Sequence, residues 1–99
     1  MADETLVKLR EEIDIIDNEI VASFAKRQET VLKIGRYKKD NNIPVVASNR
    51  EQEVIDRLKT KVDDRFKDDI DDLYKTIFDL SKRLQNKEKQ KSCSAGEAG

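Results

Sequence analysis

From about Asp3 to Asp40 the chain carries no proline, and Leu6, Leu9, Ile13, Ile16, Ile20, Phe24, Val31 and Ile34 recur at spacings of mostly three or four. That period lays one apolar stripe along a single long helix. Asp3 is placed to cap its start, and Asn41, Asn42 and Pro44 to end it. Gly35 is the lone glycine in this helix and costs about 1 kcal/mol against alanine. It marks either the close approach of another backbone or simple tolerance. The stretch IPVVASNREQEV reads as an extended link into a second helix that starts near Asn49, with Ser48 as N-cap and Glu51 three residues on in a capping-box arrangement. Val54, Ile55, Leu58 and, at its end, Val62 form the apolar face of this helix, and VDDRFKDD makes a turn. A third helix is predicted from about Lys67 to Lys89, with Ile70, Leu73, Tyr74, Ile77, Phe78, Leu80 and Leu84 inward. The remainder, QKSCSAGEAG, is small and polar, so residues 91–99 are predicted to be a disordered tail or linker remnant behind one domain at 1–90.

Helix one decides the architecture. About 38 residues at 1.5 Å each span roughly 57 Å, whereas a compact domain of this size has a radius of gyration of about 13 Å. Half of the helix must overhang its own domain, yet its apolar stripe continues and needs cover. A second chain is the simplest cover, so the predicted fold is all-α, with three helices per chain in an intertwined helical homodimer.

Composition narrows the chemistry. Twenty basic residues face 21 acidic ones, so no global field favours nucleic acid or an anionic membrane, and any anion site must be local. The opening MADETLVKLREE lacks the apolar stretch of a signal peptide, and no run approaches the roughly 20 apolar residues of a membrane span. A soluble, cytoplasmic protein is expected. Histidine is absent and the one cysteine, Cys93, lies in the polar tail, which removes the usual zinc ligands, catalytic triads and any internal disulfide. No DxDxDG-type loop supports a carboxylate metal site. Neither a metal nor another cofactor is therefore expected.

Charges on a solvated helix face carry little information; those standing where the pattern demands a hydrophobe carry more. Arg27 lies seven residues after Ile20 and seven before Ile34, within about 20° of each in projection, so it sits on the apolar stripe. Lys38 follows Ile34 by four and is about 20° from Arg27. The bland reading is that each long side chain snorkels past the core to water. Glu51 begins the stripe of helix two, although it is also the capping-box acid. Ser81 and Gln85 continue the Tyr74 and Phe78 stripe, although Ser81 can simply bond back to the carbonyl of Ile77, and Gln85 can mark where the helix leaves the core. Arg10 stands about 100° from Arg27 around the helix, which reads as solvated in a monomer and as directed at the partner's site in a dimer. Arg10, Arg27, Lys38, Arg50, Ser81 and Gln85 together would form a donor-rich pocket for a small dianion. With no nucleophile beside a base, such a pocket suits conformational restraint and electrostatic stabilisation.

The segments LREEIDIID, AKRQETVLKIGRYK, PVVASNREQEV and SKRLQ, in this order, resemble the serial motifs of the all-helical chorismate mutases of the AroQ class, over about Leu6 to Gln85. The resemblance implies a homodimer with two sites, chorismate as substrate, prephenate as product and no cofactor. It implies that Arg10 enters the partner's site and, with Arg27, holds the substrate carboxylates. It further implies that Lys38 and Gln85 donate to the ether oxygen, that Arg50 supports the carboxylate site, that Glu51 meets the substrate hydroxyl, and that Ser81 lines the pocket. Mutase domains of this kind can be fused to other shikimate-pathway enzymes, so association or fusion is a further expectation. One position departs: Ala47 stands where the family pattern usually has an aspartate that helps bind the ring hydroxyl.

Two other readings use the same features. An isochorismate pyruvate lyase shares the fold and much of the pocket, but the consecutive Arg50 and Glu51 look more like the mutase. A non-enzymatic helical dimerisation or regulatory module would instead pair the inward cations with acids across its interface.

Overall fold

A computed structural model describes the backbone of residues 2–45 and 49–98 and the side chains of residues 3–45 and 49–89. It contains α1 (Ala2–Asp40), α2 (Asn49–Lys59), a 3-10 turn (Asp64–Phe66) and α3 (Lys67–Ala98), the three-helix order that the apolar periodicity predicts. The chain divides into two units, Met1–Thr30 and Val31–Gly99.

The first unit is helical throughout its described length. Its start differs from expectation: α1 already includes Ala2, so Asp3 lies in the first turn beside Glu4 rather than capping it. Carboxylates there still favour the helix, because they face the positive end of its dipole. Leu6, Leu9, Ile13, Ile16 and Ile20 are each between 45% and 59% exposed, so within one chain most of the predicted stripe is left in water.

The second unit builds its core where α2 meets α3. Val54, Ile55 and Phe78 are buried, with Leu58 and Tyr74 packed against them, and the Tyr74 and Phe78 rings meet edge to face at 5.6 Å. Such ring pairs prefer this geometry because the positive edge of one ring meets the negative face of the other. Lys59 Nζ lies 2.6 Å from Asp71 Oδ2, tying the end of α2 to α3. Its hydrogen bond to Asp71 raises the ammonium above the ordinary lysine value. The turn that follows is capped by Asp63, whose Oδ1 accepts from the Arg65 backbone N–H at 2.9 Å and from Arg65 Nε at 3.1 Å. These bonds, led by the backbone one, hold the Asp63 carboxyl below the usual aspartate range.

The C-terminal end of α1 has a geometric cause. Asn42 takes φ 55°, its N–H bonds Lys39 O at 3.2 Å, and the Ile43 N–H bonds Lys38 O at 2.7 Å. These are the two bonds of a Schellman stop, which needs a left-handed residue; asparagine tolerates that conformation better than most. Asn41 Nδ2 adds a bond to Tyr37 O at 2.8 Å.

Three further expectations change. The backbone of α3 reaches Ala98 rather than stopping near Lys89; Lys87 to Lys91 are good helix formers that need no core, which accounts for the first part of this extension. Leu73, expected inward, is 52% exposed, and Ile34 also faces solvent. Leu73 belongs to a second apolar row on α3, about 100° around the helix from the Tyr74 face that meets α2. The predicted cap at Ser48 and the divergent Ala47 lie outside the described residues. Among those residues, no helix is long and apolar enough to cross a membrane.

Candidate active site

Gln85 is the most informative polar residue. It is 8% exposed, and a Cβ built on Gly35 would stand 3.4 Å from Gln85 Cα and 3.4 Å from its Cγ. The close approach that Gly35 suggested is thus the crossing of α1 with the Gln85 turn of α3. Arg36 seals the same crossing, with Nε 3.0 Å from Glu88 Oε1. Gly35→Ala should be tolerated, because contact at 3.4 Å is roughly offset by a helix-propensity gain of about 1 kcal/mol. Gly35→Leu should cost about 1–3 kcal/mol by overpacking, read as a lower urea midpoint with unchanged slope.

Lys38 follows Gly35 by three residues and is half-buried. Ser81 precedes Gln85 by one turn and is 6% exposed; its Oγ donates to Ile77 O at 2.9 Å, so the local back-bond anticipated for it is made. Glu51 is half-buried on the first turn of α2, where its Oε2 lies 3.4 Å from Lys82 Nζ. Lys82 is next to Ser81 in sequence and was not singled out from the sequence, where nothing distinguished it from its charged neighbours. Arg50, one residue before Glu51, is exposed. The contacts Gly35 to Gln85 and Glu51 to Lys82 therefore bring Lys38, Glu51, Ser81 and Gln85 to adjoining turns of three helices in the second unit. Arg10 and Arg27 belong to the first unit, Arg10 exposed and Arg27 half-buried.

The cluster supplies cationic and amide donors with a carboxylate beside them, and its one hydroxyl, that of Ser81, donates to a backbone carbonyl. Over residues 9–86 the sequence matches the family described as chorismate mutase type II, a span that takes in every candidate from Arg10 to Gln85. The chain belongs to that family.

Its relatives place the chorismate mutase domain within longer proteins. It is 44% identical over 48 residues to the T-protein of Haemophilus influenzae, covering 48% of this chain and 13% of that protein. To the bifunctional chorismate mutase/prephenate dehydratase of Aquifex aeolicus it is 36% identical over 55 residues, 56% of this chain and 15% of the relative. To the protein of the same description in Escherichia coli it is 32% identical over 59 residues, 60% of this chain and 15% of the relative. The chain thus spans about one seventh of the length of these curated relatives. No solved structure matches significantly.

Two features of the chorismate mutase domain escaped sequence reasoning. The half-buried Gln28 has an amide Oε1 that is enclosed without a hydrogen-bond partner among the described residues, although it sits beside Arg27 in an otherwise ordinary polar run. A lysine-lined cavity at the end of α1 joins residues more than forty positions apart, a juxtaposition no local pattern signals.

Proposed function

We propose that this chain rearranges chorismate to prephenate as a cytoplasmic homodimer, using fixed cations and amides and no cofactor. The observation that carries the reading is Gln85, a buried amide pressed against Gly35 with Lys38 one turn further along α1. Its Oε1 is enclosed without a hydrogen-bond partner among the described residues. Burying an unsatisfied amide oxygen costs about 1–3 kcal/mol, a cost that a polar ligand beside this amide would offset, with Nε2 as the group that donates to it.

The reaction is a Claisen rearrangement: the ether carbon–oxygen bond breaks as a carbon–carbon bond forms, and no proton or group is exchanged with the enzyme. Arg27, with Arg10 from the partner chain and support from Arg50, holds the two carboxylates so that the enolpyruvyl arm stays folded over the ring. Negative charge grows on the ether oxygen as its bond lengthens, and Lys38 and Gln85 donate to it there. Donors already in place cost no reorganisation at that moment, so they favour the transition state over the ground state. Glu51 accepts from the ring hydroxyl, and Ser81 lines the carboxylate end of the pocket.

An uncovered apolar surface supports the dimer: Leu6, Leu9, Ile13, Ile16 and Ile20 of the α1 stripe are exposed. Leu73 on α3 is exposed as well, in a row whose other members, Ile70, Ile77, Leu80 and Leu84, are half-buried. A second copy offers the α1 stripe a partner of matching period. The relatives named as bifunctional further suggest that this unit passes its product to a second enzyme, fused or associated.

Incubation with chorismate, following loss of diene absorbance and identifying the product, tests the activity. Absence of turnover would favour the dimerisation module. Ala47 raises the lyase reading, and a comparison of substrates decides it. A mutase short of one hydroxyl partner should prefer chorismate, and Ala47→Asp should raise kcat/KM about 5-fold to 30-fold if the restored hydrogen bond contributes about 1–2 kcal/mol. A lyase would prefer isochorismate, release pyruvate and salicylate, and gain nothing from the aspartate.

A further inference from the structure

We infer that the cavity lined by Lys38, Lys39, Asn42, Ile43, Pro44 and Lys89 is an entry vestibule that captures the dianionic substrate, with Lys39 and Lys89 as its capture residues. The cavity lies at the end of α1 and measures about 170 Å³. Pockets that enclose a whole small ligand run from about 300 Å³ upward, so this one suits a carboxylate arm or an approach path.

Its position ties it to the candidate site. Lys38 and Lys39 stand three and four residues beyond Gly35, and Lys89 stands four residues beyond Gln85. Residues so spaced lie one above the other on a helix. The vestibule therefore begins one turn past the crossing of Gly35 and Gln85 and shares Lys38 with the site. One wall is the Schellman turn, held by the Ile43 N–H on Lys38 O at 2.7 Å, so its shape is built by backbone hydrogen bonds.

Charge gives the vestibule its selectivity. Residues 31–45 and 82–89 carry eight basic side chains against two acidic ones, whereas residues 1–30 carry eight acidic against four basic. Of the two acids, Glu88 is engaged by Arg36. Lys82 is likewise paired, to Glu51. Lys38, Lys39 and Lys89 line this one small cavity and make no ion pair or hydrogen bond among the described residues, so a divalent anion entering it would meet three cationic side chains.

This inference rests on the mutase reading, because the substrate's two carboxylates are the charge that the vestibule would collect. The test measures kcat and KM for chorismate in the wild type, Lys39→Gln, Lys89→Gln, the double glutamine variant and the double arginine variant. Measurements are made at about 20 mM and about 500 mM salt, where the Debye length falls from about 20 Å to about 4 Å. Long-range attraction acts equally on ground and transition states, so KM should move while kcat holds. The double glutamine variant should show a KM raised about fourfold at low salt, with each single variant near twofold. The difference should vanish at high salt, and the arginine variant should match the wild type. Thermal stability of the glutamine variants should match wild type, because neither Lys39 nor Lys89 makes an ion pair or hydrogen bond among the described residues. An unchanged KM at low salt, a rise that survives high salt, or failure of arginine to restore KM overturns the vestibule while leaving the mutase reading intact. A wild type inactive on chorismate removes both.

Discussion

Lys38→Ala and Gln85→Ala are each expected to lower kcat by about 100-fold to 1000-fold, equivalent to about 3–4 kcal/mol, with smaller effects on KM. The reason lies in when their hydrogen bonds strengthen. The ether oxygen is a poor acceptor in the bound substrate and becomes a good one only as its carbon–oxygen bond breaks, so a donor aimed at it acts on the barrier rather than on binding. Arg27→Ala should differ by raising KM as well, since a carboxylate is fully charged before, during and after the reaction. Gln85 also packs against Gly35, so its truncation leaves a gap at the crossing of α1 and α3. Circular dichroism and the urea midpoint must accompany the kinetics. A folded Lys38→Ala with near-wild-type turnover would reject the assignment.

Association and activity are expected to be inseparable. Sedimentation should give twice the chain mass, and the thermal midpoint should rise with protein concentration, because burying the α1 stripe couples folding to dimerisation. The sharper form of this prediction is complementation. Arg10→Ala and Lys38→Ala should each be severely impaired as homodimers. When the two are unfolded and refolded together in equal amounts, half of the dimers are mixed, and each mixed dimer holds one site with a native Lys38 and a native Arg10 from its partner. Activity should then return to about a quarter of wild type. No recovery on mixing would show that Arg10 serves its own chain's site or none, and a stable, active monomer at micromolar concentration would remove the shared site altogether.

Sequence alone was enough to determine the all-α class, the start of α2, and the end of α1, because each rests on local physics; α2 closes at Lys59 and leaves Val62, expected on its face, in the following bend. Apolar spacing of three and four sets a helix face, and an asparagine pair before a proline ends a helix wherever it occurs, here through the left-handed Asn42. The candidate residues were legible for a related reason: Arg27, Ser81 and Gln85 stand where periodicity demands a hydrophobe, and breaking a pattern is itself a local signal. Tertiary structure decided which turns meet. Only the fold shows that Gly35 is small because Gln85 crosses it, that Glu51 faces Lys82, and that Lys89 joins Lys38 and Lys39 around one cavity. Periodicity reports the direction a side chain takes from its own helix axis, whereas a pairing between helices depends on the loop and crossing geometry that bring distant residues together. The same limit explains Leu73, whose apolar character marked it for burial while its direction on α3 left it exposed in the single chain.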